Sequence, residues 1–178
     1  MRVASFAAGL LLLLGSIQAN AKALTTAGTG VAIALPLIAG GISLYKDDWN
    51  GIGQLGLDTV ATVGTVYALK NIVRERRPDG SDWQSFPSDT TALAASGSSY
   101  LWARYGWQYG LPAFAATQFV SFTRVDAKKH HWYDTLAASA IGIGYAQLFT
   151  TRFHKRYNVY TDLEASPDGA TLRFAYNF

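Results

Sequence analysis

Residues Trp49–Gly80 read WNGIGQLGLDTVATVGTVYALKNIVRERRPDG. As far as Leu69 the only charge is Asp58, and Gly, Ala, Thr and Val fill most positions. An uninterrupted run of that length suits a helix better than a strand, and its small residues let neighbouring helices approach closely, as in membrane bundles. A basic stretch follows, and Arg77-Pro78-Asp79-Gly80 reads as a helix end and a turn, because Pro blocks further helix and Asp-Gly favours turns. On a helix continued to Arg77, Lys70 and Arg77 lie two turns apart on one side, and Arg74 joins them at i+4.

Four more stretches share this character: Leu24–Tyr45, Thr90–Ala103, Tyr105–Thr123 and Thr135–Thr151. The expectation is an all-α bundle of five membrane-associated helices. A full span needs about 20 apolar residues and Thr90–Ala103 falls short of that, so a soluble or half-embedded bundle stays open. Upstream, Met1-Arg2, the apolar Phe6–Leu14 and Ala19-Asn20-Ala21 have the order of a signal peptide. The alternative is a first transmembrane helix that is retained. Downstream, Ser166-Pro167-Asp168-Gly169 separates two segments, the second of which alternates Leu172, Phe174, Tyr176 and Phe178; that is a β-hairpin signal. The expected organisation is therefore 1–21 signal peptide, 22–156 helical domain and 157–178 hairpin tail.

Composition narrows the function. Apolar residues make up 49% and charged residues 15%, with five Trp, ten Tyr and nine Phe. Mean hydropathy is +0.09. The net charge of +3 and the short basic clusters exclude the broad basic face that nucleic-acid binding wants. There is no Cys, hence no disulfide or thiol chemistry. If the new N-terminus lies outside, alternating spans place Lys46–Asn50, Arg104 and Arg152–Arg156 inside and bring 70–88 and 124–134 together on the outer face. The Arg152–Arg156 cluster obeys the positive-inside rule. The outer segments carry still more positive charge, which suits a shared site for anionic groups.

The second basic cluster holds Arg124, His130 and Asp134, the last two at i, i+4, where one helical face would let the carboxylate hold an imidazole nitrogen. Lys70-x6-Arg77-Pro78, then Pro87-Ser88, then Arg124-x5-His130-x3-Asp134 resembles the signature of the type 2 phosphatidic acid phosphatase superfamily, which includes class A acid phosphatases and vanadium haloperoxidases. The resemblance implies a helical phosphatase with Lys70, Arg77, Ser88 and Arg124 around the phosphoryl oxygens. It also implies His130 as the nucleophile that becomes phosphohistidine, Asp134 as its orienter, and no metal or other cofactor. Such a clamp suits phosphoryl transfer, since Arg offers a planar fork and Lys a point charge. His130 and His131 diverge on a helix with no acidic cluster evident around them, so no metal site is expected.

One position departs from the pattern. Where the family has Pro-Ser-Gly-His, this chain has Pro87-Ser88-Asp89-Thr90, and a threonine hydroxyl is a poor acid. Asp89 is a candidate substitute if burial raises its pKa. Otherwise the substrate is a diphosphate, whose leaving phosphate needs little help, or the site binds without turnover. The expected function is hydrolysis of a lipid-linked phosphate or diphosphate at the periplasmic face of the inner membrane. The alternatives are a catalytically impaired phosphate-lipid binding or envelope-assembly protein and a soluble periplasmic acid phosphatase.

Overall fold

The computed structural model describes residues 2–153, 158–166 and 169–177, with side chains over 22–153. Five helices follow in order: α1 (Arg2–Tyr45), α2 (Trp49–Ile72), α3 (Asp89–Tyr105), α4 (Trp107–Asp126) and α5 (Trp132–Phe149). An antiparallel hairpin of β1 (Asn158–Ser166) and β2 (Gly169–Asn177) ends the chain, paired from Asn158↔Asn177 to Ser166↔Gly169. The all-α fold with a terminal hairpin is thus as expected. Residues 154–157, 167–168 and 178, on which parts of the basic cluster and of the hairpin reading fall, lie outside the described residues.

Helix α3 is the hub and packs against each of the other four. Its composition explains why: Ala92, Ala94, Ala95, Ser96, Gly97 and Ser98 are all buried, so other backbones come close. A Cβ on Gly97 would sit 2.6 Å from the Pro36 nitrogen of α1, and one on Gly142 of α5 would sit 2.9 Å from Ala95 Cβ. Close packing of small residues is the physical content of the small-residue pattern. The apolar core combines Ala32, Leu35, Ala39, Leu55, Ala94, Leu101 and Val120 with Tyr100.

The outer surface is unusual for a globular bundle. Leu37 is 70% exposed, Val60 72% and Leu148 73%, and Trp49, Tyr67, Trp107 and Trp132 are exposed as well. Helix α1 contains a 24-residue segment, Lys22–Tyr45, long enough to cross a bilayer, with an 18-residue stretch of mean hydropathy 1.8. The helix runs unbroken through Ala19-Asn20-Ala21, and cleavage there would leave that segment whole.

Chain reversals gather the polar residues at the two ends. At one end Asp48 caps α2 by accepting from the Gly51 N–H at 2.9 Å and is gripped by Arg104, whose Nε and Nη2 lie 2.7 and 2.5 Å from its two oxygens. Arg104 also donates to the Thr151 carbonyl at 2.7 Å, closing this end against the exit from α5. The other end carries Lys70, the 73–88 loop, Arg124 and the turn to α5. Asp58 lies between, fully buried, accepting from Thr62 Oγ1 at 3.2 Å.

Two local expectations are corrected. Helix α2 stops at Ile72, not at Arg77, so Lys70, Arg74 and Arg77 do not share a helical face. The chain instead folds back: the Arg77 N–H donates to the Asp82 carbonyl at 3.0 Å and the Ser85 N–H to the Glu75 carbonyl at 3.0 Å. Those bonds take up backbone groups that another helical turn would have used. The Pro78 turn does form, with the Gly80 N–H on the Arg77 carbonyl at 2.8 Å and Gly80 at φ 73°. Likewise His131 is the N-cap of α5, so His130 precedes the helix and shares no helical face with Asp134.

Candidate active site

The 73–88 loop and the turn before α5 are tied together. The Asp79 N–H donates to the Lys128 carbonyl at 2.9 Å, Lys129 Nζ to Asp79 Oδ2 at 2.6 Å, and the Ser88 N–H to the Asp134 carbonyl at 3.2 Å. The Lys129 hydrogen bond and the Ser81 amide hold the Asp79 carboxyl well below the usual range. Two loops far apart in sequence thus form one rigid rim.

Within that rim the site residues converge. Lys70, in the last turn of α2, is buried and donates from Nζ to the Gln84 carbonyl at 2.8 Å. Arg77 is oriented by Asp82 Oδ1 at 2.7 Å from its Nε and donates from Nη1 to the Lys129 carbonyl at 3.3 Å. Arg124, in the last turn of α4, is close enough to feel the charges of Asp89 and Arg77, and its Nε is buried with no hydrogen-bond partner among the described residues. Asp89 Oδ1 lies 3.9 Å from Lys70 Nζ and 3.8 Å from His130 Nε2. Ser88 is buried and caps α3, its Oγ accepting from the Thr91 N–H at 3.4 Å. Arg74 is exposed and stays outside the cluster.

His130 is fully buried. Its Nδ1 lies 2.7 Å from the Ser85 carbonyl. A carbonyl only accepts, so Nδ1 carries the proton and Nε2 carries the lone pair. That Nε2 is buried and has no hydrogen-bond partner among the described residues. Burial pushes the imidazole down to about 4; the Ser85 carbonyl opposes this, and Lys70 and Arg77 add to it. The ring is therefore neutral near pH 7, with an available nitrogen facing a cationic surround.

The orienting contact differs from expectation. Asp134 Oδ2 is 3.6 Å from His130 Nδ1, beyond hydrogen-bond length, and instead accepts from Ser85 Oγ at 2.5 Å and the His131 N–H at 2.8 Å. Ser85 links the two, its carbonyl on His130 and its hydroxyl on Asp134. Nothing in the sequence singled it out beyond its place two residues before Pro87.

An acidic group near His131, unforeseen in the sequence, completes the surroundings. His131 Nδ1 lies 3.7 Å from Glu75 Oε1 and 3.5 Å from Asp134 Oδ2, so the three offer donor types that metals use. Glu75 also accepts from the Tyr133 hydroxyl, and the His131 and Tyr133 rings stack at 4.9 Å.

The Asp89 carboxyl is subject to opposing effects. Partial desolvation raises it, but Lys70, the Thr90 and Asp89 amides and His130 outweigh that and leave it below the ordinary value. Before substrate arrives it is a carboxylate, contrary to the raised pKa that the acid role was expected to require. Beside it, Thr90 opens onto an apolar groove of about 280 Å³ walled by Thr29, Ala32 and Ile33 of α1, Val63 of α2 and Leu93 of α3.

A helical bundle that gathers a buried, unpartnered histidine nitrogen and the side chains of Lys70, Arg77 and Arg124 at one end has the groups that phosphate handling would use. The sequence pattern of the PAP2 superfamily matches residues 52–158, and the chain belongs to that superfamily as a PAP2-type phosphatase. It is 30% identical over 156 residues to a lipid A 4'-phosphatase of Helicobacter pylori (strain J99), covering 81% of this chain and 78% of the relative. The fold is similar to the crystal structure of Aquifex aeolicus LpxE, with a TM-score of 0.54 at 19% identity over 67% of this chain and 83% of that one.

Proposed function

We propose that the protein removes phosphate from a lipid-linked phosphate or diphosphate through a phosphohistidine on His130. The observation that carries this is the buried His130 Nε2, whose lone pair is fixed by the Ser85 carbonyl and whose ring feels the charges of Lys70 and Arg77, with Arg124 in the same charge cluster through Asp89 and Arg77. In the first step Nε2 attacks phosphorus, the bond to the leaving oxygen breaks, and that oxygen takes a proton from water, relayed through Asp89, whose Oδ1 lies 3.8 Å from Nε2. In the second step water attacks phosphorus, the P–N bond breaks and inorganic phosphate leaves. Lys70, Arg77 and Arg124 hold the phosphoryl oxygens and stabilise their charge. The Ser88 hydroxyl, at the positive end of α3, adds a donor. Asp134 acts through Ser85 and the His131 amide to fix the histidine's position.

A lipid substrate is supported by the similarity to the lipid A 4'-phosphatase of Helicobacter pylori and by the apolar outer surface. The exposed aromatics favour a membrane setting: Trp49 and Trp107 flank one end of the bundle, and Tyr67, Trp83 and Trp132 flank the other, where an interfacial belt would sit. Four of the site residues lie just beyond an apolar stretch: Lys70 after Leu69, Asp89 before Thr90, Arg124 after Thr123 and Asp134 before Thr135. We read those stretches as the membrane-spanning segments and the site as lying at the periplasmic interface. On this reading residues 1–21 act as the export signal and 22–156 form the enzyme.

Purified protein in detergent should release phosphate from a prenyl diphosphate or a lipid monophosphate, lose that activity in His130→Ala and keep it in EDTA. Unchanged turnover in His130→Ala would sink the mechanism. Thr90 favours a second reading, a phosphate-lipid binding protein without turnover. Retained lipid-phosphate binding with no phosphate release from either substrate would establish that reading instead.

A further inference from the structure

We infer that the groove between α1, α2 and α3 holds a hydrocarbon chain of the substrate on its leaving-group side, so that the lipid enters laterally past Thr90. This rests on the phosphatase reading above and names where the substrate's apolar part lies. In-line attack places the leaving oxygen opposite His130 Nε2 across phosphorus. Asp89, whose Oδ1 lies 3.8 Å from that nitrogen, forms the groove's polar mouth together with Thr90. Beyond the mouth the walls are Ala32, Ile33, Val63 and Leu93. Ile33 is 50% exposed and Val63 37%, so the groove opens sideways to whatever surrounds the bundle. A chain lying there stays in apolar surroundings along its length while its phosphate reaches the cations.

The larger groove between α4 and α5 is the competing location. It is lined by Gln118, Ser121, Thr135 and Ser139 beside its apolar walls, and no residue of the cation cradle borders it. A lipid seated there would have to pass the first turn of α5 to present its phosphate. The groove at Asp89 needs no such detour. Thr90 matters through its size: a bulkier side chain at the mouth would narrow the join between groove and cradle.

The test compares dioleoyl phosphatidic acid with a short-chain, water-soluble phosphatidic acid on the full chain in detergent. In Ile33→Trp and in Val63→Trp, the ratio of long-chain to short-chain kcat/KM should fall about tenfold, the value of roughly two buried methylenes. In Ile143→Trp, on the α4–α5 side, the ratio should hold. Equal loss on both substrates, an unchanged ratio, or a fall confined to Ile143→Trp would overturn the inference. If a Trp variant does not fold, Ile33→Asn puts a polar group in the same wall and is read by the same ratio. Wild-type protein inactive on both substrates and on a prenyl diphosphate would refute the phosphatase reading. The groove would then be judged by whether long-chain phosphatidic acid binds less tightly to the same variants.

Discussion

Asp89→Asn separates two roles that the proposed mechanism gives to a single carboxyl. The side chain is 60% exposed, yet its Oδ1 sits 3.9 Å from Lys70 Nζ and 3.8 Å from the nitrogen that would bond phosphorus. A bound phosphoryl group therefore carries negative charge within a few ångströms of a carboxylate. At about 4 Å that repulsion is about 4 kcal/mol per charge pair at an effective dielectric of 20 and about 1 kcal/mol in water. With the exposure discounted, about 2 kcal/mol is reasonable, or about one to two pKa units. The arriving phosphate thus raises a carboxyl that its neighbours had held low and enlarges the small protonated fraction that can serve the leaving group. Removing the charge should tighten inhibition by inorganic phosphate or vanadate about 30-fold. Removing the acid should cut kcat on a lipid phosphomonoester by about 10²–10⁴-fold. Steady-state kinetics in detergent micelles with product inhibition read both quantities. A lower Ki with undiminished kcat would remove Asp89 from the chemistry, and a higher Ki would show that it does not face the anion.

Three further outcomes follow from the same geometry. Thr90→His should raise kcat on a short-chain monoester by about 10- to 100-fold if leaving-group protonation limits the rate, and should change diphosphate hydrolysis less; no gain on the monoester would mean that Asp89 already supplies the proton. Ser85→Ala leaves the buried Asp134 carboxylate one hydrogen bond short and should cost about 1–3 kcal/mol of stability, with kcat reduced and KM little changed; an unaltered melting temperature and kcat would deny the linking role. Because the folded-state pKa of His130 is depressed to about 4 from 6.5, its neutral ring contributes stability above pH 6.5 that is lost as pH falls towards 4. The loss is on the order of 3 kcal/mol, and His130→Asn should flatten the stability profile across that window.

The helices could be read because each long run without charge is bounded by charges or by Pro and Gly, and burial of small residues follows from composition alone. Helix ends were harder. Lys70 and Arg77 are correctly spaced for a shared face, but α2 ends at Ile72 because Glu75 and Arg77 spend their backbone groups on Ser85 and Asp82. Spacing reports what a helix would do and is silent on where tertiary bonds end it. The same limit applies to His130 and Asp134: i, i+4 implies a contact only inside a helix, and the N-cap at His131 falls between them. Ser85 was invisible for a different reason. Half of its role is carried by its backbone carbonyl, which every residue has, so only the fold can show that it lies against His130.

The two ends of the bundle make opposite use of buried polarity, and the contrast locates the chemistry. Around Asp48 and Arg104 the groups satisfy one another: two bonds from the guanidinium, one from Tyr105 at 2.7 Å and one from the Gly51 amide. Such a closed network holds α1, α2 and α3 together and offers little to a ligand. At the far end His130 Nε2, Arg124 Nε, Asp134 Oδ1 and Thr91 Oγ1 are all buried with no partner among the described residues; of the atoms in that condition, only Asp58 Oδ2 and Thr150 Oγ1 lie elsewhere. Each such atom costs about 1–3 kcal/mol of desolvation. Of these, Arg124 Nε and the Thr91 hydroxyl are donors that an anion could satisfy on binding, and the His130 Nε2 lone pair is one that an electrophilic phosphorus could take up. On the proposed reading, the stability forgone at that end keeps His130 and its surrounding cations ready for phosphate, while the Asp48–Arg104 network ties the helices together at the other.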